Sequence, residues 1–121
     1  IDVSFISLSL ILPPLAQILK MGGSVVALIK PQFEAGKEHV GKHGIVRDRK
    51  VHEEVLQHVL GFATADHFDV LGLDFSPIKG GQGNIEFLAH LQLVDREGRI
   101  APEVDIDQTI SAAYAELNKQ D

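Results

Sequence analysis

Apolar positions follow two rhythms along the chain. At 8–20, Ile11, Leu12, Leu15, Ile18 and Leu19 recur at the i, i+3/i+4 and i+7/i+8 spacing of one helix face. Ser7 is placed to cap that helix, Pro13-Pro14 either kink it or open its main part, and Gly22-Gly23 stop it. Residues 24–30 form a continuous apolar run, β-branched at Val25, Val26 and Ile29, which predicts a strand covered on both faces. The helical rhythm returns at 49–62, with Val51, Val55, Leu56, Val59 and Leu60 on one side and Asp48 as the cap. "FDVLGLDF" (68–75) predicts a further strand, and "IEFLAHLQLV" (85–94) alternates as a strand with Glu86, His90 and Gln92 on one phase. Asp107 is placed to cap a last helix whose apolar face carries Ile110, Ala113, Tyr114 and Leu117. Residues 1–5 read as the end of a strand, and 31–47, 76–84 and 95–99 as glycine-bearing loops and a turn.

The order is therefore strand–helix–strand–helix–strand–strand–helix. Helices crossing between apolar strands predict an α/β fold with a mostly parallel, doubly wound sheet. No helix separates the last two strands, so the last strand is expected to run antiparallel.

That topology has a chemical consequence. Ligands of open parallel sheets bind beyond the carboxyl ends of the strands. Lys30 ends one strand and Asp2 lies near the end of another. An antiparallel last strand begins at the same edge, where it carries Glu86. A lysine between two carboxylates keeps its proton; to act as a base it needs desolvation or a second cation. An ion-pair cluster at a sheet edge is the alternative reading of the same three residues.

Composition narrows the partners. The 121 residues suit one domain with a modest core, and 17 acidic against 11 basic side chains leave a net charge of −6. An acidic chain is a poor stand-alone nucleic-acid binder, so phosphate contacts must come from a local patch or another domain. The segment 36–50 supplies a patch in Lys37, Lys42, Arg47, Arg49 and Lys50, to be read either as RNA contacts or as a solvated loop. The absence of cysteine excludes disulfides and thiolate metal sites and fits a reducing, cytoplasmic setting. His39 and His43 stand at i, i+4 with His52 beyond, but glycines break the segment and no metal site is assigned. His58, His67 and His90 read as surface or packing residues. The opening "IDVSFISLSLILPPL" stops short of the roughly 20 residues of a membrane span and reads as the interior of a fold entered midway.

"IDVSFISL", "LIKPQFEAGKEHVGKHGIVRD" and "SPIKGGQGNIEFL" together resemble the TlyA-type branch of the FtsJ-like ribosomal RNA methyltransferases, often called hemolysin A. The resemblance implies a Rossmann-like class I methyltransferase fold. It also implies transfer of a methyl group from S-adenosylmethionine to a ribose 2′-hydroxyl of ribosomal RNA. The lysine–aspartate–lysine–glutamate set of that family falls, in part, on Asp2, Lys30 and Glu86 as catalytic residues, with Asp2, Val3 and Ser4 beside the cofactor. Lys37, Lys42, Arg47 and Arg49 become the expected RNA contacts. "GGQGN" is weak as a phosphate cradle and reads better as a turn delivering Glu86, with Asn84 bracing that turn or touching substrate.

The first lysine of the set, the glycine-rich cofactor loop, the acidic residue for the cofactor ribose and a small S4-like RNA-binding domain have no counterpart here. The resemblance thus implies that 1–121 is the C-terminal part of a methyltransferase domain, inactive by itself. Its uncovered apolar edge predicts self-association. Two other classes stay open: a membrane-active hemolysin, which needs an amphipathic or spanning segment, and a non-catalytic scaffold.

Overall fold

A computed structural model describes residues 8–35, 46, 48–79 and 83–117. Its elements are α1 (Leu8–Ile18), β1 (Ser24–Ile29), α2 (Pro31–Glu34), α3 (Arg49–Ala65), β2 (Phe68–Phe75), β3 (Phe87–Leu93) and α4 (Ile106–Leu117). The expected strand at 1–5 and the Ser7 cap lie outside the described residues.

The helices form where the apolar rhythm places them. α1 buries Leu8 and Leu12 and runs through Pro13 and Pro14 instead of breaking there. Both prolines are exposed, away from the buried Leu8 and Leu12. Gly22, at φ 84°, turns the chain into β1 where a Cβ would be strained. Asp48 caps α3 as expected, its carboxylate accepting from the Lys50 N–H at 2.9 Å. α3 buries Val51, Val55, Leu56, Val59, Leu60 and Ala63 along one stripe, and His52 beside them. The cap of α4 is Asp105 and not Asp107: Asp105 Oδ1 accepts from the Gln108 N–H at 3.0 Å. Asp107, already inside the first turn, faces Arg49 instead. α2 is a short helix that the sequence pattern reads as loop.

The sheet order is β1-β3-β2, and β3 is antiparallel to both neighbours. The antiparallel last strand is as expected, but the mostly parallel sheet is not what the described residues form. With no crossover helix after β2, the chain folds straight back, and β3 inserts between the two strands that share a direction. One face of this sheet is buried through Ala27 and Ile29, Phe68 and Val70, and Phe87, Ala89, Leu91 and Leu93. On the other face Val26 is 51% exposed and His90 is exposed, so β1 is not covered on both faces by the described residues. Half-solvated alternation is normal in antiparallel sheets. The helices share one layer: α3 meets α1, α2 and α4, and both α3 and α4 pack on β2. Phe68 and Phe87 are fully enclosed between sheet and helices, each contributing about 1.5–3 kcal/mol of burial.

Candidate functional site

Lys30 follows the last residue of β1, and Pro31 follows Lys30. A proline restricts its predecessor to extended backbone, and Lys30 has φ −109° and ψ 98°. The same proline opens α2, where its missing N–H is no loss. The chain therefore leaves the sheet at Lys30 and coils at once. The Lys30 carbonyl accepts from the Phe33 N–H at 2.9 Å. "KPQF" is a strand end and a helix start sharing one residue.

Ile29 pairs with Phe87, and Phe87 also pairs with Phe75. Lys30, Glu86 and Ser76 each stand one residue beyond that rung. The Ser76 N–H extends the β2–β3 ladder by donating to the Glu86 carbonyl at 2.8 Å. The start of β3 thus lies with the carboxyl ends of β1 and β2. Glu86 is only 6% exposed, as are its neighbours Asn84 at 2% and Ser76 at 9%.

α2 closes over this edge. Gln32 Nε2 donates to Glu86 Oε2 at 2.9 Å, while Gln32 Oε1 is buried without a hydrogen-bond partner. Glu34 Oε2 accepts from the Leu8 N–H at 2.8 Å, a carboxylate held at the start of α1 where the helix dipole favours negative charge. Asn84 Oδ1 accepts from the Val46 N–H at 2.9 Å and braces the turn before Glu86. Sequence reasoning missed Gln32 and Glu34. Both sit in a segment too short for a period to register, and only their spacing behind Lys30 hinted at them.

Of the expected site residues, the structure brings Lys30 and Glu86 to one edge. Asp2, Val3, Ser4, Lys37, Lys42 and Arg47 lie outside the described residues. Arg49, expected to contact RNA, is engaged at the surface by groups of α3 and α4. Its guanidinium donates to Asp107 Oδ1 at 2.7 Å, to the Asp107 carbonyl at 3.0 Å and to Ser111 Oγ at 2.8 Å, and it pairs with Glu53 at 3.3 Å. The hydrogen bond to Asp107 raises its pKa further. A fork so occupied is a clamp between α3 and α4.

His52 belongs to the interior. Its Nδ1 is hydrogen-bonded to the Tyr114 hydroxyl, its ring meets Phe87 edge-on at 5.9 Å between centroids, and its Nε2 is buried without a partner. Burial pushes its pKa down to about 4. His39 and His43 lie outside the described residues, and among the described residues no group of histidine and carboxylate side chains is arranged to hold a metal. Nor is any described helix long and apolar enough to cross a membrane.

Comparison with known proteins finds relatives over most of the chain. Residues 1–93 match the family described as FtsJ-like methyltransferase. "Putative rRNA methyltransferase YqxC" of Bacillus subtilis is 52% identical over 99% of this chain and 43% of that protein. "16S/23S rRNA (cytidine-2'-O)-methyltransferase TlyA" of Mycobacterium tuberculosis is 36% identical over 75% of this chain and 34% of that protein. "Hemolysin A" of Brachyspira hyodysenteriae is 44% identical over 74% and 37%. A crystal structure described as "a putative hemolysin from Lactococcus lactis" superposes with a TM-score of 0.88 at 57% identity, covering 92% of this chain and 52% of that one. The chain thus spans less than half the length of the curated relatives it matches.

Proposed function

The chain belongs to the FtsJ-like methyltransferase family, and we propose that the full-length protein transfers a methyl group from S-adenosylmethionine to a ribose 2′-hydroxyl of ribosomal RNA. The observation that carries this reading is the meeting of Lys30 and Glu86 one residue beyond the Ile29–Phe87 rung, from motifs far apart in sequence. Methyl transfer by direct displacement is mainly a matter of positioning, which groups held at a hydrogen-bonded sheet edge can serve.

Lys30, Glu86 and Gln32 each have a part in the proposed reaction. Lys30 holds or takes the hydroxyl proton. Glu86, kept in place by Gln32, orients Lys30 and the ribose. The ribose oxygen bonds to the methyl carbon as the carbon–sulfur bond breaks, leaving the electron pair on sulfur and the hydroxyl proton with Lys30 or water. The bound cofactor supplies a methyl group made electrophilic by its positive sulfur. Lys30, Gln32 and Glu86 are hydrogen-bonding groups suited to a hydroxyl, and they fit the acceptor side of this reaction. Asp2, with Val3 and Ser4, is proposed to hold the cofactor side.

Residues 1–121 are read as the C-terminal part of a methyltransferase domain. The intact domain is proposed to carry a mostly parallel sheet. The edge expected to self-associate is that of segment 1–5, outside the described residues. Lys37, Lys42 and Arg47 remain the proposed phosphate contacts, and a ribosomal RNA substrate implies a cytoplasmic enzyme. The isolated 121-residue chain is expected to be inactive.

Labelled methyl transfer to ribosomal RNA by the full-length protein tests the reading, with Lys30→Ala beside it. Transfer that the variant loses supports it. No transfer by a folded, cofactor-binding wild type sinks it and leaves Lys30 in a structural ion-pair cluster.

A further inference from the structure

We propose that Glu34 is a positioning residue for Lys30: its backbone N–H holds the Lys30 carbonyl, its carboxylate holds the start of α1, and Lys30 is thereby kept one residue beyond the Ile29–Phe87 rung. This inference rests on the methyl-transfer reading above and adds a residue that acts on the reaction through Lys30 without touching substrate.

The link runs through two hydrogen bonds. The Glu34 N–H donates to the Lys30 carbonyl at 3.2 Å, and Glu34 Oε2 accepts from the Leu8 N–H at 2.8 Å. Leu8 opens α1, so its N–H has no partner inside its own helix. The two ends of the link are not equally firm. Leu8 is 2% exposed and Leu12 is fully enclosed, so core packing already holds the start of α1. α2 is four residues long, about one turn. A helix that short is not stable by itself in water and takes its place from the groups it is tied to. Its ties are the buried Pro31 at its start, the Gln32–Glu86 bond in its middle and the Glu34–Leu8 bond at its end. Loss of the last tie therefore frees the end of α2 and leaves α1 in place.

The consequence falls on Lys30 because α2 begins there. Lys30 is the N-cap of α2, and its carbonyl accepts from the N–H groups of both Phe33 and Glu34. With the far end of the turn loose, those two bonds no longer act from a fixed point, and the backbone that carries the Lys30 amine gains freedom. In a transfer governed by alignment, a displacement of about 1 Å costs about 100-fold in rate. The loss belongs to turnover and not to cofactor affinity. The role asks of Glu34 its reach and an accepting oxygen. It does not ask for a charge.

Three variants of the full-length protein test this, assayed by methyl transfer to ribosomal RNA at a temperature where thermal unfolding shows each to be folded. Glu34→Gln keeps the reach and an accepting oxygen but drops the charge, and its kcat is expected within about threefold of wild type. Glu34→Asp keeps the charge and falls one methylene short, and Glu34→Ala removes the acceptor. Both are expected to lower kcat about 10- to 100-fold while the KM for S-adenosylmethionine stays within about threefold. A residue that only stabilised the fold would lower the unfolding temperature and leave the kcat of the folded enzyme unchanged. If Glu34→Ala does not fold, the comparison of Glu34→Gln with Glu34→Asp decides alone. Glu34→Asp within about twofold of wild-type kcat overturns the proposal, as does Glu34→Gln as slow as Glu34→Asp. So does a rise in the KM for S-adenosylmethionine with kcat kept, which would assign Glu34 to the cofactor side. A wild type that transfers no methyl group removes the underlying reading and this inference with it. Transfer that Lys30→Ala loses and Glu34→Asp retains removes this inference alone.

Discussion

Gln32 and Glu86 stand 54 positions apart in sequence and are joined by a 2.9 Å hydrogen bond from amide to carboxylate. This bond ties the helix that follows β1 to the segment that opens β3. Its loss has a direction. Glu86→Ala leaves the Gln32 amide without a partner at either end, and a buried polar group left unsatisfied costs about 1–3 kcal/mol. Thermal unfolding of the full-length protein should show this loss. Glu86→Gln, which keeps the shape, should unfold near the wild-type temperature and still lose methyl transfer.

His52 predicts a pH dependence. Burial holds the imidazole at about 4, against 6.5 for an unhindered histidine. Between those values the unfolded chain binds the proton and the folded chain refuses it. Stability present above pH 6.5 is therefore lost as pH falls toward 4, by on the order of 3 kcal/mol in all. Urea midpoints at pH 7.5, 6 and 5 should fall less steeply in His52→Gln than in wild type. Equal slopes would contradict the placement of His52 in the core.

Arg49 should behave as a fastener and not as an RNA contact. Its guanidinium is committed to Asp107, Ser111 and Glu53. Arg49→Ala is expected to lower the unfolding temperature slightly, with a difference that shrinks in high salt because the pairs are partly exposed. Its affinity for ribosomal RNA should equal that of wild type. A marked loss of RNA affinity in filter binding would return Arg49 to the phosphate-contact patch.

Two glycines should respond oppositely to alanine. Gly61 lies in α3, exposed, with nothing within 4 Å of an added Cβ. Gly61→Ala is expected to stabilise by about 0.5–1 kcal/mol. At Gly98 an added Cβ would fall 1.8 Å from the Phe68 carbonyl oxygen, a backbone atom that cannot step aside. Gly98→Ala should lower the unfolding temperature sharply. Paired melting curves check both.

What the sequence disclosed, and what it concealed, follows from the range of each interaction. α3 was legible because its stripe is periodic and Asp48 caps it locally. β3 was legible because Phe87, Ala89, Leu91 and Leu93 alternate with more polar positions. The placing of Lys30 and Glu86 at one edge followed from a single topological premise, an antiparallel last strand. The sheet order was hidden, because whether β3 lies outside β2 or between β1 and β2 depends on long-range packing that no local pattern records. α2 was hidden by its four-residue length. Asp105 takes the cap of α4 that Asp107 was expected to fill, and Asp107 meets Arg49, 58 positions away, a contact that no local pattern records. The interior place of His52 was hidden too: it borders the apolar stripe of α3, and its hydroxyl partner Tyr114 comes from another helix.

The measurement that bears most directly on the central claim is mass spectrometry of nucleosides from ribosomal RNA treated with the full-length protein and S-adenosylmethionine. The account predicts a new nucleoside methylated on the ribose 2′-oxygen, lost in Lys30→Ala and in Glu86→Gln. Methylation on a base, or a 2′-O-methyl product that persists in both variants, would contradict the assignment of the Lys30–Glu86 edge as the site of transfer.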